Sequence, residues 1–339
     1  MRASLLSGLV TGVLLLGLLP AGAQTLDAVR ERGSLACAVP QDMRGFAVVD
    51  SAGDWSGFDV AFCRALAAAV LGSPSAVDYL PASGAARFEA LIGGEVDVVS
   101  GNSGLRFARD VALPVSFVGV TLFDGQGFMV SRSLGVASAQ ELEGMRICVD
   151  PEGPTGRALS EYFAMHDKAL EPVPVSGRAE MHENYLRGDC DAVSAEVSRL
   201  AALRAGFESP GDHVLLPEVF AREPQALAVR EDDLQWASIV RWTLNALIAA
   251  EELGVTSANV EELAISSTNP EIGRLLGSQG NLGEMLGLDP DWALRAIAAG
   301  GHYGEIFAAN IGQQTPIGLP RGLNAQWTQG GLMFSPPFR

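Results

Sequence analysis

From residue 34 onward the chain alternates short apolar runs with longer amphipathic stretches. Residues 34–39 read as a buried strand, and 59–71 carry the three-to-four-residue apolar spacing of a helix that ends at Gly72. Residues 77–80 form a second strand. A helix over 86–92, stopped by Gly93 and Gly94, leads into a third strand at 96–99. Residues 25–33 read as a short capped helix, and 40–54 as polar loop or hairpin. Such alternation predicts a parallel α/β sheet.

The pattern then restarts. Strands at 128–130, 146–149, 173–174, 192–194 and 213–216 are separated by helices at 138–142, 155–165, 180–186 and 197–205. After Glu223 the segment PQALAVRED reads as a strand running back, and a long helix follows over 234–253. From Asn259 the chain is helical and loop-like. Its end has Gly and Pro too often for a regular element and is expected to wrap onto the first lobe. Two successive βαβ sets predict two similar lobes. The 316 residues after Ala23 also exceed the size at which one core stops growing.

The first residues read differently. Met1-Arg2, an apolar run over 5–19 and the small-residue site Pro20-Ala21-Gly22-Ala23 have the form of a cleaved secretory signal over residues 1–23, with the exported chain starting at Gln24. The run is short for a membrane span, and no cysteine follows the cleavage site to carry a lipid. Beyond residue 23 the balance is 22 basic against 40 acidic side chains, which disfavours nucleic acid and anionic membranes as partners. The single lysine, Lys168, reads as compositional bias.

Four cysteines, Cys37, Cys63, Cys148 and Cys190, suit disulfides in an oxidising compartment. They admit three pairings, of which the local one would put one bridge in each lobe. Zinc is the rival reading, but no C-x-x-C spacing is present and the four histidines are scattered. No metal and no cofactor is expected. Nucleophile elbow, P-loop and dinucleotide fingerprints are all missing from the sequence.

The stretch from Gly93 to Val130 carries the candidate chemistry. An apolar strand ends in a glycine-bearing loop, followed by Arg106 and Arg109 one helical turn apart. Arginines beside free backbone N–H groups at a strand end make a carboxylate site.

TLDAVRERG, WSGFDVAFCRALAAAVLG, EVDVVSGN followed by ARD, DGQGFMV, QWASIVRWTLNALIAAEELGVTSANV and YGEIF together resemble the periplasmic amino-acid-binding proteins of ABC transporters, in the general L-amino-acid branch. The resemblance spans the chain beyond the signal and includes the positions of all four cysteines. It implies a type II periplasmic binding fold whose two lobes close on a ligand about two crossover strands. Those strands would lie near 123–127 and 225–228. Lobe one would then be residues 24–125 with 227–339, and lobe two 126–226. The expected partners are a small amino acid or related carboxylate and an ABC permease at the inner membrane, with the protein a periplasmic monomer.

The resemblance also implies roles for residues. Arg109 matches the arginine that forks onto the ligand carboxylate, although an exposed arginine paired with Asp110 would look the same in sequence. Asn102 is a candidate acceptor for the ammonium. Glu196 stands where the family has a shorter acid for that ammonium, and otherwise reads as a solvated helix-start acid. Departures cluster in the same places. Gly101 replaces an arginine, and Gly104 and Arg106 replace hydroxyl residues. A threonine-rich turn becomes Glu152-Gly153-Pro154-Thr155-Gly156-Arg157, leaving Thr155 as hydroxyl and N-cap. Arg106 has two readings: it meets an extra anionic group on the ligand, or it points to solvent. Two alternatives stand beside transport: a dehydratase-like enzyme of the same fold, with Glu152 and Glu196 as acids, and a ligand-presenting sensor.

Overall fold

A computed structural model describes residues 25–101, 103–151 and 154–339. The proposed signal, Gln24, Asn102, Glu152 and Gly153 therefore lie outside the described residues. Strand Leu35–Val39 is buried along its whole length and pairs in parallel with Val77–Pro81 on one side and Val98–Val99 on the other. Val99 then faces Ala228 of the antiparallel strand Ala221–Arg230. That strand runs beside Val115–Ser131 from Arg230 opposite Val115 to Ala221 opposite Gln126. The far half of Val115–Ser131 passes the sheet on to Ala192–Glu196, then in parallel to Arg146–Val149 and Glu171–Pro174. A short strand, His213–Leu215, also pairs with the end of Val115–Ser131. Two long strands thus belong to the sheets of both lobes and join them into one nine-stranded sheet.

Of the 17-residue strand, the apolar pattern predicted only residues 128–130, and the resemblance added a crossover near 123–127. Gly119, Gly125, Gly127, Asp124 and Gln126 interrupt its apolar pattern and have low strand propensity. Ladder partners on both edges override that preference. The strand expected over 96–99 shortens to Val98–Val99, because Asp97 turns its carboxylate onto Arg32 and the Ala36 N–H instead.

Side-chain alternation explains the layering. In the second lobe Phe128, Val130, Ile147 and Val149 face one helix layer with Leu159 and Phe163. Met129, Cys148 and Val193 face the other, with Met181 and Tyr185. A sheet covered on both faces needs apolar residues on both. The first lobe has a larger core, where helices Phe58–Leu71, Leu234–Glu252 and Trp292–Gly300 pack together. Within it Trp236 is buried and donates its indole N–H to the Asp97 carbonyl at 2.8 Å.

The disulfides take the local pairing, Cys37–Cys63 and Cys148–Cys190, with Cα separations of 6.3 and 5.6 Å. The first ties strand Leu35–Val39 to helix Phe58–Leu71; the second ties Arg146–Val149 to the turn after helix Gly177–Arg187. For loops of this size the chain-entropy model gives about 3–4 kcal/mol each.

Beyond helix Tyr303–Asn310 the chain has only short turns and bridges. Ile311, Ile317, Leu319 and Met333 bury into the first-lobe core. The tail reaches further than a wrap onto one lobe. Asn324 brackets Phe123 of the long strand: its Oδ1 accepts from the Phe123 N–H at 2.7 Å, and its Nδ2 donates to the Phe123 carbonyl at 3.1 Å. Arg204, on helix Val197–Arg204 of the second lobe, donates to the Ile317 carbonyl at 2.9 Å.

Candidate functional site

A cavity of about 370 Å³ opens between the lobes. Gly104, Arg106 and Arg109 line it from the first lobe, and Thr155 and Glu196 from the second. Five of the residues singled out by sequence thus converge on one cavity. Gly101 is not among its lining residues.

Arg109 lies on helix Phe107–Ala112 and is half-buried. It donates to the Gly104 carbonyl at 2.6 Å, and its guanidinium carbon sits 5.0 Å from the centre of the Phe88 ring. No carboxylate pairs with it among the described residues, Asp110 included, so the exposed-pair alternative does not describe it. Burial, then the neighbouring Arg106, hold its pKa below the usual guanidinium value.

Arg106 turns into the cleft rather than out to solvent. Its Nε donates to Glu223 Oε2 at 2.8 Å, its Nη2 is ion-paired with the same oxygen at 2.7 Å, and Nη2 lies 4.0 Å from Glu196 Oε1. Burial raises the Glu223 carboxyl even against this pairing. A Cβ on Gly104 would sit 2.9 Å from that Glu223 oxygen. The glycine at 104, the arginine at 106 and the glutamate at 223 are therefore one coordinated arrangement. The side chain missing at 104 leaves room for the carboxylate that holds Arg106.

Gly101 has a different reason to be glycine. Its φ is +90°, and a Cβ there would fall 1.9 Å from Asp59 Oδ2. Asp59 fills the space under the loop and has no hydrogen-bond partner at Oδ2; burial pushes its pKa up to about 8.

Glu196 ends strand Ala192–Glu196, immediately before helix Val197–Arg204, and is buried. It is not a solvated helix-start acid. The start of that helix is capped instead by Asp124 of the long strand, whose Oδ1 accepts from the Ser198 N–H at 3.3 Å. This frees Glu196 for the cleft. Its Oε2 lies 3.2 Å from Arg199 Nε but accepts no aligned hydrogen bond. Thr155 is not an N-cap: helix Pro154–Met165 starts one residue earlier, because proline suits the first turn, where its missing N–H costs nothing. Its carbonyl accepts from Gln126 Nε2 at 2.9 Å.

Sequence reasoning missed Arg87, Arg199 and Gln225, which line the cavity, and Glu223, which pairs with Arg106 there. Arg87 lies in the first turn of helix Ala86–Ile92, where a cation opposes the helix dipole. Arg106, immediately before helix Phe107–Ala112, opposes a helix dipole in the same way. Gln225 is buried, with no hydrogen-bond partner at Oε1. The cleft therefore holds four guanidiniums, from Arg87, Arg106, Arg109 and Arg199, against the carboxylates of Glu196 and Asp150, with Glu223 paired to Arg106. A protein of net charge −17 has a locally basic cleft.

The histidines do other work. His302 caps helix Tyr303–Asn310 in a reciprocal box with Glu305, and His213 meets the Tyr185 hydroxyl at 2.9 Å. No metal-binding group of His, Cys, Asp or Glu occurs among the described residues, and none of their helices is long and apolar enough to cross a membrane.

Two α/β lobes, two shared strands and a charged cleft between them define a type II periplasmic binding protein. The chain is 50% identical over 319 residues, 94% of each protein, to the glutamate/glutamine/aspartate/asparagine-binding protein BztA of Rhodobacter capsulatus. It is 44% identical, over the whole of both chains, to the general L-amino acid-binding periplasmic protein AapJ of Rhizobium johnstonii. Among solved structures, an ABC-transporter periplasmic binding protein from Brucella ovis with glutathione bound superposes with a TM-score of 0.90 at 44% identity, covering 94% of this chain and 100% of that one. A comparison with protein-family models finds no match. The chain belongs to the periplasmic amino-acid-binding proteins of ABC transporters. These relatives are solute-binding proteins, and they lend no support to the dehydratase-like or sensor alternatives.

Proposed function

We propose that this chain captures a polar or acidic amino acid between its lobes in the periplasm and delivers it, as a monomer, to the permease of an ABC transporter. In this reading lobe one comprises 24–125 with 227–339, lobe two comprises 126–226, and the hinge lies where the two long strands pass between them. Arg109 forks onto the α-carboxylate and Glu196 takes the ammonium. Asn102, Gly104, Arg106 and Thr155 complete the surround. The observation that carries the reading is the meeting of Arg109 and Glu196, from opposite lobes, at one cavity. Each has capacity to spare: among the described residues Arg109 has no carboxylate partner, and Glu196 Oε2 accepts no hydrogen bond. Buried zwitterion ends need such partners, because leaving either unmet costs several kcal/mol.

Titration calorimetry tests this with the chain lacking residues 1–23. Its panel is glutamate, aspartate, glutamine, asparagine and glutathione, whose γ-glutamyl end carries a free ammonium and α-carboxylate. At least one should bind. Arg109→Met should weaken that binding by about 100-fold or more, since two charge-assisted hydrogen bonds are lost, with little change in thermal midpoint. Affinity kept within about threefold would rule out Arg109 as the carboxylate contact.

A further inference from the structure

Arg87 differs from the other cleft arginines. It is only 6% exposed, lines the cavity, and donates to two carbonyls, Gly84 at 3.0 Å and Gly101 at 3.4 Å. Arg106 is matched by Glu223 and Arg199 by Glu196. Among the described residues no carboxylate stands within ion-pair distance of Arg87. Two acids act on it from further off: Glu196, assigned above to the ammonium, and Asp59, which burial lifts to about 8, so near neutrality it keeps its proton and offsets little. Burial also draws Arg87 down to about 10, still charged at neutral pH. A buried cation without a counter-ion is costly, and an entering anion would relieve it.

The two guanidiniums without carboxylates are neighbours. Arg87 and Arg109 both lie against Phe88, with their guanidinium carbons 5.7 and 5.0 Å from the ring centre. We infer that Arg87 is the subsite for a second anionic group on the ligand, so that the cleft favours an amino acid whose side chain ends in a carboxylate. This rests on the assignment of the α-carboxylate to Arg109 and the ammonium to Glu196. It also gives Arg106 a different task from the one its position suggested: with Glu223 it closes the wall, and the extra charge is read by Arg87. An amide in the same place would hydrogen-bond but bring no charge, leaving Arg87 uncompensated.

The test measures glutamate, aspartate, glutamine and asparagine by calorimetry at pH 7 on the wild type, Arg87→Gln and Arg87→Lys. The wild type should prefer each acid over its amide by about tenfold or more. Arg87→Gln should lose most of that preference, with acid affinity falling by much more than amide affinity and amide binding still measurable, and Arg87→Lys should retain part of it. Retained amide binding shows that the variant is folded. Equal wild-type affinity for acid and amide overturns the inference whatever the variants do, and leaves the amino-acid reading standing. A parallel loss of acid and amide binding in Arg87→Gln, with Arg87→Lys equally impaired, assigns Arg87 to structure and also overturns it. If no α-amino acid binds the wild type, the underlying reading falls, and this inference with it.

Discussion

Gly101→Ala should be among the most damaging small changes in the molecule. Two costs add. At φ +90° a residue with a Cβ is strained by about 1–3 kcal/mol. The new Cβ would also overlap the Asp59 carboxyl, at 1.9 Å from Oδ2, 2.0 Å from Cγ and 2.5 Å from Oδ1. Asp59 has nowhere to retreat. It is 2% exposed, and its helix start is pinned by Phe58 N–H donating to the Gly45 carbonyl at 2.9 Å and Asp59 N–H to the Phe46 carbonyl at 3.0 Å. Overpacking of this kind adds about 1–3 kcal/mol. The total, about 2–6 kcal/mol, should lower the thermal midpoint by roughly 3–9 °C in a chain of this size. Circular dichroism melts of Gly101→Ala, Asp59→Ala and the double variant separate the two costs. All three clashing atoms belong to the carboxyl, so Asp59→Ala removes the overlap and leaves only the strain. The double variant should then be about 2 kcal/mol more stable than the sum of the single effects predicts. Additive effects would refute the steric half of the argument. A single-variant loss below about 1 kcal/mol would refute both halves.

Asp59→Asn should change the pH dependence of stability. The folded carboxyl keeps its proton up to about 8, whereas the unfolded one releases it near 3.8. The native state therefore binds the extra proton between these values, and stability falls as pH rises through the window, by up to about 1.4 kcal/mol per unit. Melts at pH 5 and pH 8 should show the variant gaining relative to the wild type by more at pH 8 than at pH 5. A parallel offset at both would refute the assignment. The slope should shrink rather than vanish, because burial lifts Asp124 to about 7 in the same direction. Asn324→Ala should cost about 1–3 kcal/mol by stranding the Phe123 N–H and carbonyl, and a melt lowered by less than about 1 °C would show that the tail does not hold the strand.

Elements with a single strong period were legible from sequence. The helices at Phe58–Leu71 and Leu234–Glu252 and the strand Leu35–Val39 came out within a residue or so of their expected bounds. What escaped has a common cause. The long strand Val115–Ser131 is stabilised by neighbours far away in sequence, so its glycines and its one acid, Asp124, look like turn signals until the partners are known. The site divides in the same way. Arg109 could be found because it follows a strand and a loop in a pattern that resembles a family. Arg87 sits in an ordinary-looking helix, and its significance lies in the carboxylate it lacks. Pairing of that kind is set by tertiary distance: Glu223, which neutralises Arg106, is 117 residues away. Yet the chain carried a local sign of both arginines. Each sits at the start of a short helix, where its charge opposes the dipole. A cation placed there against local preference implies a compensating anion. For Arg106 the protein supplies that anion as Glu223. For Arg87, among the described residues, carbonyls answer it and no carboxylate does. Compensation by the chain in one case and its lack in the other is a physical basis on which a cleft with four arginines can tell one more carboxylate from one fewer.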